Sequence, residues 1–164
     1  MNIKKDLLSH LKMLRSEMKK KFNRHVSIQD LLSDRSETAK FYGFGEGTTC
    51  YNNVLIIGEV KVGENTWIGP NVILDGSGGL EIGDFVSISS GVQIYSHDTV
   101  DWSRSMGKKS IKRAKTKIGN GVYLGPNSII QMGTTINDQA KIGAMSFVNK
   151  DIPKGRKWYG STLT

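Results

Sequence analysis

The sequence predicts an all-β fold, a parallel β-helix wound from hexapeptide units, with an N-terminal α-helical extension and one long protruding loop. Three observations carry this. Ile118, Leu124, Ile130, Ile136, Ile142 and Val148 are large aliphatics spaced six apart without a miss. Four residues after each of the first five stand Val122, Ser128, Thr134, Ala140 and Ser146, all small or β-branched. Gly119, Gly125 and Gly143 directly follow the aliphatic in three of the six units. A period of six fits neither a helix, which repeats near 3.6, nor a plain strand, which repeats at 2. It fits a coil whose straight sections point one large residue inward and then turn, with Gly and Asn supplying the backbone angles of the turns.

The length of 164 residues suits a helical segment over 1–45 and a β-helix domain over 46–164. Cys50 is the single cysteine, so no disulfide framework and no CxxC motif can be written. A reduced, cytoplasmic setting is expected. No apolar run is long enough to span a bilayer, and the start MNIKKDLLSHLK lacks the apolar centre of a signal peptide. The net charge of +8 favours an anionic partner without choosing one.

Ile3, Leu7, Leu11, Leu14, Met18 and Phe22 are spaced four, four, three, four and four, one stripe of an amphipathic helix. Lys4, Lys5, Lys12, Arg15, Lys19, Lys20 and Lys21 occupy the remaining surface. The expectation is a helix docked on the chain's own body with a solvated basic face. A helix resting on the inner face of a membrane is the alternative. Ser27 and Asp30 form a capping signal for a second helix beginning near Ile28. Gly43, Gly45 and Gly47 read as a connector, because their spacing is not that of a phosphate-binding loop.

The six-residue beat starts at Ile56 and runs through Val62, Ile68 and Leu74. A two-residue insertion delays the next unit to Ile82, followed by Ile88 and Ile94. The beat then lapses until Ile118, which predicts a protruding loop at about 96–116. With three units per triangular coil, Leu74, Ile94, Ile130 and Val148 share one face, counted as face three from Val62. Both interruptions therefore leave from one edge. The residues following the aliphatic there are Asp75, Tyr95, Gln131 and Asn149, with no glycine among them. Polar side chains and loops on a rigid scaffold mark a candidate site.

His97 lies at that edge, while the other two histidines, His10 and His25, lie in the helical extension. A loop histidine can take a proton from a hydroxyl or amine; an ordinary surface histidine is the competing reading. Asp98 and Asp101 are candidates to orient its ring. Asp75, one coil below, is a comparable candidate and is grouped with the acceptor-facing residues. Tyr95 and Trp102 are placed to stack on a sugar ring or to pack the loop base. Ser96 has no triad around it, and the histidine count argues against a three-imidazole metal site, so no metal is expected. The run KKSIKRAK at 108–115 offers an anion-binding surface or a solvated face.

The stretches LEIGDFVSISSGVQIYSHDTV (80–100), KIGNGVYLGPNSII (117–130) and TTINDQAKIGAMSFVNKDIP (134–153) resemble the hexapeptide-repeat acyltransferases. Within them the resemblance is to the maltose, galactoside, nodulation-type and surface-polysaccharide sugar O-acetyltransferases. It implies a left-handed parallel β-helix, a homotrimer, and acetyl-CoA as acyl donor in a groove between subunits. By the same resemblance His97 is the general base and Asp84 contacts the acceptor. Ala144, Asn149 and Lys150 line the CoA groove, Lys150 reaching a phosphate, and Pro126 stands where a Ser often meets the thioester arm. Backbone N–H groups near Gly125 or Gly143 are candidates for an oxyanion hole. The sequence departs from the family pattern in Ser96-His97-Asp98, in the loop KKSIKRAKT, and in the tail GSTLT (160–164), where Arg156 or Lys157 would have to replace a basic contact.

The expected function is acetyl-CoA-dependent O-acetylation of a carbohydrate or nucleotide-sugar acceptor in surface polysaccharide or glycoconjugate synthesis, with no nucleic-acid partner. The alternatives are N-acetylation of an amino sugar or antibiotic, and a non-catalytic trimeric binding module.

Overall fold

The computed structural model describes residues 3–160, so the expected tail is described only at Gly160. Its body is a three-faced parallel β-helix. Face two stacks six strands in register: Thr49–Cys50, Trp67–Ile68, Ser87–Ile88, Tyr123–Leu124, Lys141–Ile142 and Lys157–Trp158. Face three aligns Ile56, Leu74, Ile94, Ile130 and Val148. Face one aligns Val62, Ile82, Ile118 and Ile136, with Ile152 bridged above. The three-face assignment read from the spacing is the observed one. Apart from the partly buried Ile56, these aliphatics form one buried column, each contributing roughly 1.5–3 kcal/mol.

The β-helix starts earlier than the beat suggested. Gly45 N–H donates to Val62 O (3.0 Å), Phe44 is buried, and Cys50 lies directly beneath Ile68, so the glycine connector already belongs to the first coil. Burial, with the nearby Asp30 charge adding to it, pushes the Cys50 thiol up to about 12. It is a core filler.

Coils are joined by backbone bonds such as Trp67 N–H to Val86 O (2.9 Å) and Ser87 N–H to Val122 O (2.9 Å). Left-handed backbone falls at the third residue after the aliphatic: Asn65, Asn71, Phe85, Gly91, Gly121, Asn127, Gln139 and Met145. The glycines immediately after the aliphatic serve a different need. At Gly63 a Cβ would stand 2.1 Å from Asp84 Oδ1, which accepts from Glu64 N–H (2.7 Å). Asn120 and Asp138 repeat that bond on the coils above, at 2.8 and 2.9 Å. Asp84 is thus one rung of a ladder along the edge between faces one and two.

Helix α1 (Ile3–Phe22) has no buried residue. Its expected docking on the chain's own body is confined to the half that bears the partly buried Leu11, Leu14 and Met18 and meets α2 (Ile28–Leu32), itself capped by Ser27 as the sequence indicated. A third helix, α3 (Arg35–Phe41), opens with a complete capping box between Asp34 and Glu37, a signal present in the sequence.

Inward hydroxyls either complete this framework or do not. Thr66 Oγ1 accepts from Val86 N–H (3.1 Å) and donates to Gly83 O (3.0 Å). Ser128 Oγ is buried without a partner. We therefore expect Thr66→Val to lower stability by about 1–3 kcal/mol, since it strands buried groups. Ser128→Ala should be neutral or stabilising; chemical denaturation of both variants checks the contrast.

Candidate active site

The two interruptions of the beat meet at the edge between faces three and one. The insertion is absorbed inside the strand Ile73–Ile82, where Gly58 pairs Gly76 but Val60 pairs Leu80. The bulge left at Ser77–Gly79 folds over the Asp75 carboxylate, which is fully buried. Oδ1 accepts from Ser77 N–H (2.9 Å) and Ser77 Oγ (2.5 Å). Oδ2 accepts from Ser96 N–H (2.9 Å) and His97 N–H (3.1 Å), and lies 2.5 Å from His97 Nδ1. Ser96 is part of this cage: its Oγ accepts from Gly78 N–H (2.8 Å). Gly78 leaves room for the crossing strand, since a Cβ there would stand 2.4 Å from Ser96 O.

Burial alone would push the Asp75 carboxyl up, but the bonds from Ser77, Ser96 and His97 outweigh it and hold the group at about 2. An ionised Asp75 fixes the proton of His97 on Nδ1 and leaves Nε2 as the basic nitrogen. The His97 side chain is 30% exposed, so the ring is anchored at one nitrogen and open at the other. A ring held in this way can serve as a proton acceptor.

The structure redistributes the other candidates. Asp75 faces His97 and, with both oxygens enclosed, does not face an acceptor. Asp98 instead accepts from Val100 N–H (2.5 Å), and Asp101 pairs with Lys112 (2.8 Å), so neither orients the ring. Asp84 sits on a different edge, occupied in its ladder. Tyr95 lies beside His97 with ring centroids 6.5 Å apart, its hydroxyl donating to Gln93 (2.8 Å).

The protruding loop is a hairpin. His97–Asp98 pairs antiparallel with Lys112–Arg113, and α4 (Val100–Arg104) carries the half-exposed Trp102. Gly125 and Gly143 are buried spacers whose N–H groups donate to Ile142 O (2.9 Å) and Trp158 O (2.8 Å), so neither is available to an oxyanion. Pro126 and Ala144 are exposed on the edge between faces two and three. Asn149 and Lys150 follow Val148 on the His97 edge, with Lys150 Nζ over the Trp158 ring at 4.9 Å. Face three separates the two groups.

Residues 59–96 match the hexapeptide repeat of succinyl-transferase, and residues 115–150 match the bacterial transferase hexapeptide (six repeats). The solved maltose O-acetyltransferase from Clostridium difficile 630 superposes with a TM-score of 0.61 at 26% identity, over 93% of this chain and 80% of that one. The chain belongs to the hexapeptide-repeat acyltransferases. This hexapeptide-repeat chain is also 30% identical over 112 residues to the galactoside O-acetyltransferase of Escherichia coli (strain K12), covering 56% of this chain and 55% of that one. It is 29% identical over 132 residues to the bifunctional protein GlmU of Clostridium botulinum, covering 68% of this chain but 28% of that one. It therefore spans under a third of the GlmU length. AntD, an N-acyltransferase from Bacillus cereus solved with dTDP and coenzyme A, shares the fold at 23% identity, with a TM-score of 0.66 over 74% of this chain and 69% of that one. The hexapeptide-repeat chain thus has the left-handed β-helix of its family, an exception to the right-handed crossover rule.

The depressed Asp75 carboxyl has a pH consequence. Its folded value of about 2 lies below the ordinary 3.8, so its stabilisation is present above the ordinary value and lost as pH falls through the folded one. The difference corresponds to about 2 kcal/mol. Urea unfolding at a series of pH values should show the Asp75→Asn variant less stable than the parent at neutral pH, with the gap closing by about that amount on acidification.

Proposed function

We propose that the chain is an acetyl-CoA-dependent sugar O-acetyltransferase, working as a homotrimer with the donor in the groove between subunits. The observation that carries the reading is the Asp75–His97 pair, which leaves one imidazole nitrogen basic and open at an otherwise closed scaffold. The acceptor hydroxyl gives its proton to His97 Nε2 as its oxygen attacks the thioester carbonyl. The C–S bond breaks, and the departing CoA sulfur takes that proton from the imidazolium. No acyl-enzyme is formed, and holding both substrates together supplies much of the acceleration.

The named activities of the two O-acetyltransferase relatives support the reaction class. In this reading the donor crosses face three, meeting Pro126 and Ala144 on one side and Asn149 and Lys150 on the other. Lys150 leaves the Trp158 ring to meet a CoA phosphate. Tyr95 and Trp102 border the acceptor, a carbohydrate or nucleotide sugar of surface polysaccharide or glycoconjugate synthesis, in the cytoplasm.

His97→Ala should lower turnover by about 10²–10⁴-fold while leaving acetyl-CoA affinity, measured by calorimetry, within a few-fold. Turnover close to the parent's would remove His97 from the chemistry. No acetyl-CoA binding by the assembled parent would remove the donor. Paired acceptors, a galactoside and glucosamine, assayed by mass spectrometry, distinguish O- from N-transfer.

A further inference from the structure

We infer that α1 is a surface-binding helix for anionic membranes, lying along the bilayer and holding the β-helix against it. The inference is independent of the reaction assigned above. Its first support is an apolar stripe that the chain itself covers only towards Met18. Ile3 is 72% exposed and Leu7 55%, and no residue of the helix is buried. Contact with α2 is made towards the Met18 end, so the N-terminal half projects from the fold.

The second support is the row beside that stripe. Lys4, Leu8, Lys12, Arg15 and Lys19 repeat the stripe's own spacing one residue later, about 100° around the helix. Cations bordering an apolar face suit an interfacial helix, because their stems lie on the apolar side while their charges reach the headgroups. The helix carries seven Lys and Arg against Asp6 and Glu17.

The third support is a cleft of about 460 Å³ at the C-terminal end of α1, lined by Lys12, Arg15, Lys19, Arg24 and His25 together with Met18 and Val26. A lining that combines Lys and Arg with apolar side chains matches a lipid phosphate joined to its acyl chains. No helix among the described residues is long and apolar enough to cross a bilayer, so α1 lies on the membrane and does not traverse it. A second copy of α1 is the competing occupant. Like charge on every copy opposes that packing, whereas an anionic surface relieves it.

Sedimentation of the full chain with vesicles tests this, using phosphatidylcholine alone and phosphatidylcholine containing phosphatidylglycerol. Binding to the anionic vesicles should exceed binding to neutral ones by about tenfold or more, and should weaken with salt. Leu7→Glu with Leu11→Glu should lose at least about tenfold of that binding while the thermal unfolding of the β-helix is unchanged, since neither residue is in its core. Equal binding to both vesicles, or full binding by the double variant, overturns the inference. So does a change in particle mass on making that variant, which would show the stripe covered by another copy.

Discussion

The register between coils is the constraint on which this structure depends. Each inward aliphatic stacks on the one below, and each coil gives its N–H groups to the next. Extra residues can therefore enter only at a corner, and only where they leave the column undisturbed. The two largest additions, the bulge at Ser77–Gly79 and the hairpin after Ile94, share one corner and lie on consecutive coils. That adjacency makes the site: the lower addition encloses a carboxylate, and the upper delivers a histidine to it.

Burying a carboxylate is costly unless its oxygens are satisfied, and Asp75 meets that condition with five donors. Three backbone N–H groups and the Ser77 hydroxyl fix it independently of the imidazole. The ring is consequently held by an acceptor that cannot move away, whereas the exposed Asp98 and Asp101 are engaged within the hairpin. A rigid support of this kind is what positions a proton acceptor.

Much of this was legible in the residues. The six-residue beat gave the faces, the shared edge and the place of His97, because a repeat fixes geometry along its whole length. The Asp75 cage was not legible, since it depends on how Ser77, Gly78 and Ser96 close across two coils eighteen or more residues apart. The local motif of Asp84 says nothing about which edge it occupies, whereas its place two residues after Ile82 does. Gly and Asn carry the unusual turn angles as expected at Asn65, Asn71, Gly91 and Gly121, but so do Phe85 and Met145, while Gly63, directly after the aliphatic, answers to crowding from the next coil. The docking of α1 was legible only in part, because an amphipathic stripe reports that something covers it without saying what or how far along.

The central claim is that Asp75 fixes the proton of His97 on Nδ1 and leaves Nε2 free to act. Two-bond proton–nitrogen NMR on histidine-labelled protein, with His10 and His25 replaced by Gln, reads this directly. The account predicts the Nδ1–H tautomer at neutral pH, with a downfield Nδ1 proton that is lost in Asp75→Asn. A Nε2–H tautomer, or a ring exchanging between both forms in the parent, would contradict it.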